Sequence, residues 1–297
     1  MLNFIKYRKI YYIFSGILIL AAIFSLFSYG LNFGIDFNGG SILEAVFSRE
    51  RPSNQEIEQR LVDLDLGLSS IQPTEDRGII IRMKAISEEN HQKVLEKLAE
   101  GQEIEEKSFE SIGPVIGKVL KDKTKVFVVL VLLAIIFFIA IAFRKASRPV
   151  ASWKYGVVAS LVAFLHDVLI PLGVFSLLGK FYNVQVTIPI VVALLTILGY
   201  SVHDTIVVFD RIRENLSRAR LLSFEEIVNK SLNQTLVRSI NTSLTTLVVL
   251  FAVFFIGGET LRYFSLILIL GISTGTYSSI FIASPILVSW LKWRKKD

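Results

Sequence analysis

The segment Leu198-Gly-Tyr-Ser-Val-His203-Asp204-Thr-Ile-Val-Val-Phe-Asp210-Arg211 places two ionisable side chains, His203 and Asp204, in an apolar stretch long enough to cross a bilayer. A charged group at the centre of a membrane costs about 2.5–3.5 kcal/mol on insertion scales, so it is functional by default and has a partner. The segment therefore predicts a membrane protein that moves protons or ions.

Six segments are long and apolar enough to span a membrane, because a span needs about 20 apolar residues. They are residues 10–30, 126–143, 155–179, 184–209, 239–258 and 263–291. Four carry no Asp, Glu, Lys, Arg or His, whereas the third contains His166 and Asp167 and the fourth contains His203 and Asp204. The first has 21 residues and no Ala-x-Ala cleavage site, so we expect a retained span and not a signal peptide.

The distribution of charge predicts the topology. The net charge is +6, yet residues 36–125 hold 13 Lys/Arg and 18 Asp/Glu. Most other basic residues lie at 6–9, 144–154, 211–238 and 292–296, which six alternating spans place on one side of the membrane. The positive-inside rule makes that side cytoplasmic. We therefore expect both termini in the cytoplasm, residues 31–125 outside it, and no binding of nucleic acid.

The segment between the first two spans is predicted to be a small folded domain. Helices are expected from Ser53, which opens a capping box with Glu56, and over 87–100. Strands are expected at 41–47, 68–72, 78–83 and 105–112. The order β-α-β-β-α-β is that of a ferredoxin-like α+β sandwich. The predicted domains are 1–30 (the N-terminus and the first span), 31–125 and 126–297.

The basic segment 211–238 between the fourth and fifth spans contains a second capping box, Ser223-x-x-Glu226. An amphipathic helix flanked by arginines suits the inner surface of a membrane, and a plain connecting helix explains the pattern equally well. The apolar residues on one face of this helix are Phe224, Ile227, Val228 and Leu232.

Ionisable side chains at several depths of the bundle are what a stepwise proton path needs. From the rise per residue, Asp167 lies about 18 Å from the start of the third span, and Asp204 lies about 9 Å from Asp210. We therefore expect His166, Asp167, His203 and Asp204 to serve such a path. A buried His-Asp pair can instead hold two helices in register, and the residues alone leave both interpretations open.

Asp204 has two candidate partners. Arg238 lies at the cytoplasmic start of the fifth span, which runs antiparallel to the fourth. Arg211 follows Asp204 by seven residues and so lies on the same face of its helix. Arg238 is the better candidate, although the positive-inside rule also explains it as a membrane anchor.

Small and hydroxylated residues are frequent in the last two spans. Asn241-Thr-Ser-Leu-Thr-Thr246 opens the fifth span, and Ser273-Thr-Gly-Thr-Tyr-Ser-Ser279 lies in the sixth. Hydroxyls can relay protons, but packing between helices is their more common role, and Gly271-x-x-x-Gly275 allows close approach. Gly199 is expected to loosen the fourth span just before Asp204.

Several classes of site are excluded. Gly113-Pro-Val-Ile-Gly117-Lys118 is one residue short of a phosphate loop and is followed by Val119 in place of Ser or Thr, so no nucleotide site is predicted. The motifs His-Glu-x-x-His and Gly-x-Ser-x-Gly are absent, and the chain has no Cys. We therefore predict no metal, no cofactor and no enzyme active site, which leaves an ion gradient as the available energy source.

Four motifs resemble the SecD/SecF family of protein-export membrane proteins, on its SecF side. They stand in the family's order and span nearly the whole chain. SecD has a much larger external region, so the short external segment here fits SecF. The motifs are Gly34-Ile-Asp36-Phe-Asn-Gly39-Gly40, Leu165-His-Asp167, Gly199-Tyr-Ser-Val-His-Asp204-Thr-Ile-Val-Val-Phe-Asp210-Arg-Ile-Arg-Glu-Asn215 and Asn233-Gln-Thr-Leu-Val-Arg238-Ser-Ile-Asn-Thr-Ser-Leu-Thr-Thr246.

The resemblance implies an RND-type half of six transmembrane helices that pairs with SecD in the bacterial cell (inner) membrane. The pair joins the SecYEG channel and uses the proton-motive force to help export preproteins, with YajC and YidC as further partners. In the family, the residues that match Asp204 and Arg238 belong to the proton pathway, which favours Arg238 over Arg211. Motif residues carried over with a structural role are Gly34, Asp36, Gly39, Gly40, Gly199, Asp210 and Arg211.

This sequence departs from the family at His203, where Asn is common, so a titratable imidazole replaces an amide beside Asp204. The hypothesis that follows is that protonation of Asp204 weakens its pairing with Arg238 and shifts the fourth span against the fifth. The movement is expected to reach the external domain through the first span. The competing interpretation is an RND-like half of a proton-coupled small-molecule transporter, and a third is a scaffold for another translocase subunit.

Overall fold

A computed structural model describes residues 2–67, 70–74, 77–142, 157–158, 161–218 and 221–294. The chain forms two compact units: Met1–Asn32 with Val126–Asp297, which we call the helical unit, and Phe33–Lys125, which we call the α+β unit. Parts of four predictions lie outside the described residues. These are the start of the second predicted strand, the basic loop after the second span, the start of the third span and the C-terminal basic tail.

Helices dominate the chain. In chain order the elements are α1 (Arg8–Tyr29), α2 (Ile35–Asn38), β1 (Gly40–Phe47), α3 (Asn54–Leu61), β2 (Ser70–Thr74), β3 (Gly78–Met83), α4 (Glu88–Leu98), β4 (Ile104–Ile112), α5 (Pro114–Ala142), α6 (Leu169–Tyr182), α7 (Ile188–Arg218), α8 (Phe224–Ile256), α9 (Glu259–Ser278) and α10 (Ser284–Arg294). A π-helical turn, Ala163–Val168, leads into α6, and a second, Ser279–Ala283, joins α9 to α10.

Five helical stretches of the described chain are long and apolar enough to cross a membrane. They are Arg8–Tyr29, Leu165–Tyr182, Ile188–Arg218, Phe224–Ile256 and Leu261–Trp293. These stretches correspond to the predicted first, third, fourth, fifth and sixth spans. The second predicted span lies in α5, which is helical from Pro114 onward.

The start of α8 corrects the interpretation of the basic segment as a helix on the membrane surface. Ser223 caps α8 as predicted: its Oγ accepts from Glu226 N at 3.3 Å, and Glu226 Oε2 accepts from Ser223 N at 2.8 Å. The helix then continues unbroken for 33 residues into the predicted fifth span. Its apolar side joins the core of the helical unit, because full burial removes more apolar surface from water than a shallow membrane interface does. Val228 and Leu232 belong to this core, Phe224 packs against it, and Ile227 is also buried.

Two glycines of α9 allow close contact with α7, as Gly271-x-x-x-Gly275 predicted. A Cβ at Gly271 would lie 2.2 Å from Ile197 Cδ1, and a Cβ at Gly275 would lie 3.0 Å from Ser201 Cβ. Gly199 behaves differently, because no atom lies within 4 Å of its hypothetical Cβ and α7 passes through it unbroken. The expected loosening is therefore not seen, since one glycine costs a helix only about 1 kcal/mol.

Small residues also join α1 to α6. A Cβ at Gly173 would lie 2.5 Å from Ala22 Cα. Ser25 Oγ donates to the carbonyl oxygen of Gly173 at 2.9 Å, and Ser176 Oγ donates to that of Ser25 at 2.9 Å. Close approach combined with hydrogen bonds between helices is how helices associate in lipid.

The α+β unit is built on one antiparallel sheet with the strand order β2-β3-β1-β4. The predicted strands are confirmed to within two residues at each described end, and β2 extends to Thr74 in the predicted turn. Leu43 on β1 pairs with Ile81 on β3, and both join a core with apolar residues of α3 and α4. Ser53 and Ser87 cap these helices, because the side chain of each accepts a hydrogen bond from the main-chain N–H three residues further along the chain.

Two consecutive glycines form the turn from α2 into β1. Gly39 has φ +76° and Gly40 has φ +142°, conformations that favour glycine. A Cβ at Gly39 would lie 2.7 Å from Pro114 Cα, and one at Gly117 would lie 2.8 Å from Gly39 N. The glycine that made residues 113–118 look like a phosphate loop therefore serves close packing at the start of α5.

Candidate functional site

A cluster of polar side chains in the core of the helical unit is centred on the carboxylate of Asp167. Asp167 is fully buried and His166 is 2% exposed. Asp167 Oδ1 lies 2.7 Å from His166 Nδ1, and Oδ2 accepts hydrogen bonds from Ser278 at 2.7 Å and from Ser201. His166 Nε2 lies 3.1 Å from Ser15 Oγ. The cluster therefore connects α1, α7 and α9 to the turn before α6.

Both π-helical turns border this cluster. The first carries His166 and Asp167, and the second begins directly after Ser278. A π turn is rare and occurs frequently at functional sites. The extra residue in the turn changes the direction of the side chains that follow it. The two turns therefore mark the cluster as more than a packing contact.

Asp204 lies three residues beyond Ser201 on α7 and is 8% exposed. Its Oδ2 accepts no hydrogen bond from the residues that the structure describes. Ser239 on α8, Ser279 and the charge of Asp167 all interact electrostatically with this carboxyl. An unsatisfied buried acceptor is costly, about 1–3 kcal/mol or more for a charged group. Asp204 is therefore placed to change its protonation or its partner.

Hydroxyl groups lie between the two aspartates. Ser201 donates to Asp167, and the main-chain carbonyl of Ser201 accepts from Ser279 at 3.4 Å. Ser279 Oγ and Thr205 Oγ1 lie 2.8 Å apart. Because a hydroxyl both donates and accepts, such groups can pass a proton along. Ser278 and Ser279 were expected mainly to pack the helices. In the structure both lie at the polar cluster.

Arg238 does not pair with Asp204, which corrects the predicted ion pair. Arg238 is exposed, and no ion pair joins it to another residue of the described ranges. The next residue, Ser239, is buried and interacts with Asp204. Successive residues of a helix with 3.6 residues per turn point about 100° apart, so Ser239 and Arg238 cannot both face α7 in this way.

Arg238 instead lines an open groove between α7 and α8 of about 470 Å³. Arg211 lines the same groove, where its Nε donates to Gln234 Oε1 at 2.7 Å and its Nη1 pairs with Glu214 at 2.5 Å. Asp210 is also part of the groove wall and lies 2.5 Å from Arg213. The groove is thus a polar region on the same two helices that carry Asp204 and Ser239.

The remaining predicted site residues lie apart from the buried cluster. The side chain of His203 is exposed on α7, and its charge interacts with the Asp204 carboxyl. Gly34 and Asp36 belong to the α+β unit, where the Gly34 carbonyl accepts from Phe37 N at 3.1 Å and Asp36 lies in the first turn of α2.

Sequence reasoning missed Ser15, Ser201 and Thr205. A signal was available for the last two, because Ser201, Asp204 and Thr205 follow an i, i+3, i+4 pattern and so share one face of α7. Ser15 stands alone among apolar residues of the first span and had no such signal.

Comparison with known proteins places this geometry in a family. The family "Protein export membrane protein SecD/SecF, C-terminal" matches residues 91–293, and "SecD/SecF GG Motif" matches residues 24–49. The protein translocase subunit SecF of Thermobaculum terrenum is 41% identical over 98% of this chain and 94% of its own length. The SecF subunit of Synechocystis is 37% identical over 99% of this chain and 95% of its own length.

Two solved structures of SecDF are similar to this chain. The crystal structure of SecDF from Thermus thermophilus is 35% identical, with a TM-score of 0.81 over 97% of this chain. SecDF in its super-membrane-facing form is 32% identical, with a TM-score of 0.66. This chain spans 38% and 39% of those two longer chains. The chain is a multi-pass membrane protein that belongs to the SecD/SecF family of protein-export membrane proteins.

Proposed function

We propose that this chain acts as the SecF subunit of a bacterial protein translocase, which assists protein export together with SecD and draws on the proton-motive force. The observation that carries the coupling part is Asp204, a buried carboxyl in a membrane-spanning helix with one oxygen unsatisfied within the described chain. A group in this state gains a partner or a proton when its surroundings change, which is what coupling to an ion gradient requires.

The proposal includes a topology. We assign six spans, with α5 as the second, both termini in the cytoplasm of a bacterial inner membrane, and residues 31–125 as an extracytoplasmic domain. The strand order β2-β3-β1-β4 with a β-α-β-β-α-β element order supports a ferredoxin-like fold for that domain. The positive-inside distribution of Lys and Arg supports the orientation.

The proton path is proposed to use both aspartates. Asp167 and His166 form the first proton-binding site, and Ser201 and Ser278 donate to Asp167. Ser279 bonds to the main-chain carbonyl of Ser201, so a transfer to Asp204 requires the hydroxyl of Ser201 or Ser279 to rotate toward the other. Protonation of Asp204 removes a charge that interacts with Asp167 and with Ser239. The contact between α7 and α8 is then free to shift, because Asp204 and Ser239 are on opposite sides of it.

Arg238 has a revised role in this path. Its side chain lies in the groove next to the Asp204–Ser239 contact and not in it. We propose that the guanidinium sets the potential at the cytoplasmic mouth of the path and pairs with Asp204 only after α8 rotates. His203, exposed beside Asp204, is proposed to tune the pH range of transport.

Partners follow from the family. SecDF, a single chain named for both proteins, matches this chain over 38% of its length, which supports SecD as the partner. Contacts with the SecYEG channel and a translocating preprotein, and with YajC and YidC, are proposed from the family resemblance. The alternative of an RND-like small-molecule transporter half has no comparable support, since the relatives are named as translocase subunits.

The test is pulse-chase export of a secreted protein in cells that lack their own copy, rescued by Asp204→Asn. We expect slow export at a normal membrane level. Asp122→Asn is the control, since it makes the same change at an exposed aspartate that pairs with Lys125 and lies outside the proposed path. Full export with Asp204→Asn would leave only a scaffold role for the chain.

A further inference from the structure

The N-terminal segment, residues 2–7, is packed into the helical unit ahead of α1. Phe4 is 5% exposed and Ile5 is 1% exposed, and both belong to the apolar core. The contacts of the segment's backbone and charged side chains account for this burial.

Two asparagines of α8 hold the segment by its backbone. Asn233 Oδ1 accepts from Leu2 N at 2.9 Å, and Asn233 Nδ2 donates to the Leu2 carbonyl at 2.9 Å. Asn229 Oδ1 accepts from Phe4 N at 2.9 Å, and its Nδ2 donates to the Leu2 carbonyl at 3.0 Å. These distances are those of ordinary hydrogen bonds, so the pair forms a bracket around the peptide chain.

Charged side chains add a second attachment at the same place. Glu225 Oε1 lies 2.9 Å from Arg8 Nη1, and the other carboxylate oxygen pairs with Lys292. Glu225 therefore joins the first turns of α1 and α8 to the end of α10. The segment is therefore attached at the point where these three helix ends meet, with Phe4 and Ile5 buried and Leu2, Asn3, Lys6 and Tyr7 exposed.

Phe4 is also the first member of a column of aromatic rings that reaches the buried cluster. Ring centroids lie 5.7 Å apart for Phe4 and Phe281, 4.9 Å for Phe281 and Tyr277, and 5.6 Å for Tyr277 and His166. Phe281 belongs to the second π-helical turn. The column is apolar apart from the Tyr277 hydroxyl, and its half-buried rings Tyr277 and Phe281 also line an open groove of about 350 Å³ next to α8.

We propose that residues 2–7 are a plug that seals this end of the helical unit against water, and that Asn229 and Asn233 are the latch that holds the plug in place. A proton-coupled protein needs such a barrier, because an open water path through the cluster would dissipate the gradient. Protons then leave toward this side along the groove that contains Arg238. The side of the membrane on which the plug lies rests on the topology proposed above.

The absence of Cys from the chain allows a direct test with single thiols. Ser284→Cys reports from a fully buried position at the start of α10, Ser176→Cys from a buried position in α6, and Ser217→Cys from an exposed position in α7. Inside-out vesicles with each reporter are treated with a small membrane-impermeant methanethiosulfonate reagent, and labelling rates are compared. The variants are Asn229→Leu with Asn233→Leu, and Phe4→Ala with Ile5→Ala.

Asn241→Leu is the matched control, because it makes the same change at an exposed position of α8. We expect labelling at position 284 to become about tenfold faster or more in both plug variants, as for a local opening, and to stay slow in the control. Equal labelling at 284 in all backgrounds would overturn the plug. A parallel rise at position 176 would also overturn it, since the whole unit would then have loosened.

Labelling at position 217 tests the proposed topology independently of the proposed plug. Labelling there in inside-out vesicles supports the cytoplasmic assignment. If position 217 reacts only in right-side-out vesicles, the proposed topology is wrong, and the same comparison at 284 in those vesicles then decides the plug.

Discussion

The two units of this chain differ in where they hold charged groups. The α+β unit buries Arg82 and His91 outside its apolar core cluster, and other pairs, such as Lys84 with Asp65, are exposed to solvent. The helical unit buries Asp167, His166 and several hydroxyls. In lipid, a buried polar group must find its partners inside the protein. The polar core of the helical unit therefore costs stability that an apolar core would not, which is expected where a site has a function.

The same contrast recurs within the helical unit. Asp167 is bonded through both oxygens to His166, Ser201 and Ser278, whereas Asp204 leaves Oδ2 without a partner in the described chain. The saturated carboxylate holds helices together, and the unsaturated one is available for change. A test of the difference is whether loss of Asp167 lowers the stability of the protein more than loss of Asp204 does.

The largest effect is expected from Asp167→Leu. Removing this acceptor leaves the buried donors of His166, Ser201 and Ser278 without a partner. The free energy of unfolding should therefore fall by about 3–5 kcal/mol. Asp204→Leu removes a carboxyl with an unsatisfied oxygen and should change stability by about 1 kcal/mol or less. Thermal unfolding of the purified variants in detergent measures both. Equal losses would show that the two carboxyls play the same structural part.

A smaller effect is expected at the contact of α9 with α7, which supports the polar core. Gly271→Ala forces a Cβ into Ile197 and should cost about 1–3 kcal/mol by overpacking. Gly199→Ala meets open space and should stabilise α7 by up to about 1 kcal/mol. The unfolding temperatures of the two variants should therefore move in opposite directions. A loss of similar size at both positions would refute the packing argument.

The smallest effect is expected at this exposed pair of the α+β unit. Lys84 donates to Asp65 Oδ2 at 2.7 Å, and this hydrogen bond lowers the pKa of the Asp65 carboxyl below its ordinary value. A lowered folded-state pKa gives stability that is present above the unfolded-state pKa and is lost as the pH falls through the folded one. Lys84→Met should return the pKa of Asp65 to its ordinary range.

Carboxyl-carbon NMR titration of the labelled protein measures that change. The pKa of Glu89, which a hydrogen bond from Lys93 lowers, serves as the internal control and should not move. High salt should weaken the effect on Asp65 in the parent protein, because both partners are exposed. If neither Lys84→Met nor high salt changes the pKa of Asp65, then Lys84 is not the cause of its lowered pKa.

Local patterns predicted the elements well. The caps at Ser53 and Ser223 and the alternation in β1 depend on neighbours a few residues away, so the sequence displays them directly. The small residues Gly271 and Gly275 were recognised for the same reason. The sequence left a membrane-surface helix and a connecting helix equally open in 211–238, because an amphipathic face does not say whether it covers a membrane or a protein core. The structure has the connecting helix.

The amino-acid sequence by itself determined the membrane class, the apolar spans, the order of strands and helices, and the identity of His166, Asp167 and Asp204 as costly intramembrane groups. Only the tertiary structure decided their partners. It assigned Ser15, Ser201 and Ser278 to the His166–Asp167 cluster, left Asp204 partly unsatisfied in the described chain, and turned Arg238 into the groove. The physical reason is that helix rotation and the two π turns, which no local pattern encodes, fix which side chains face one another.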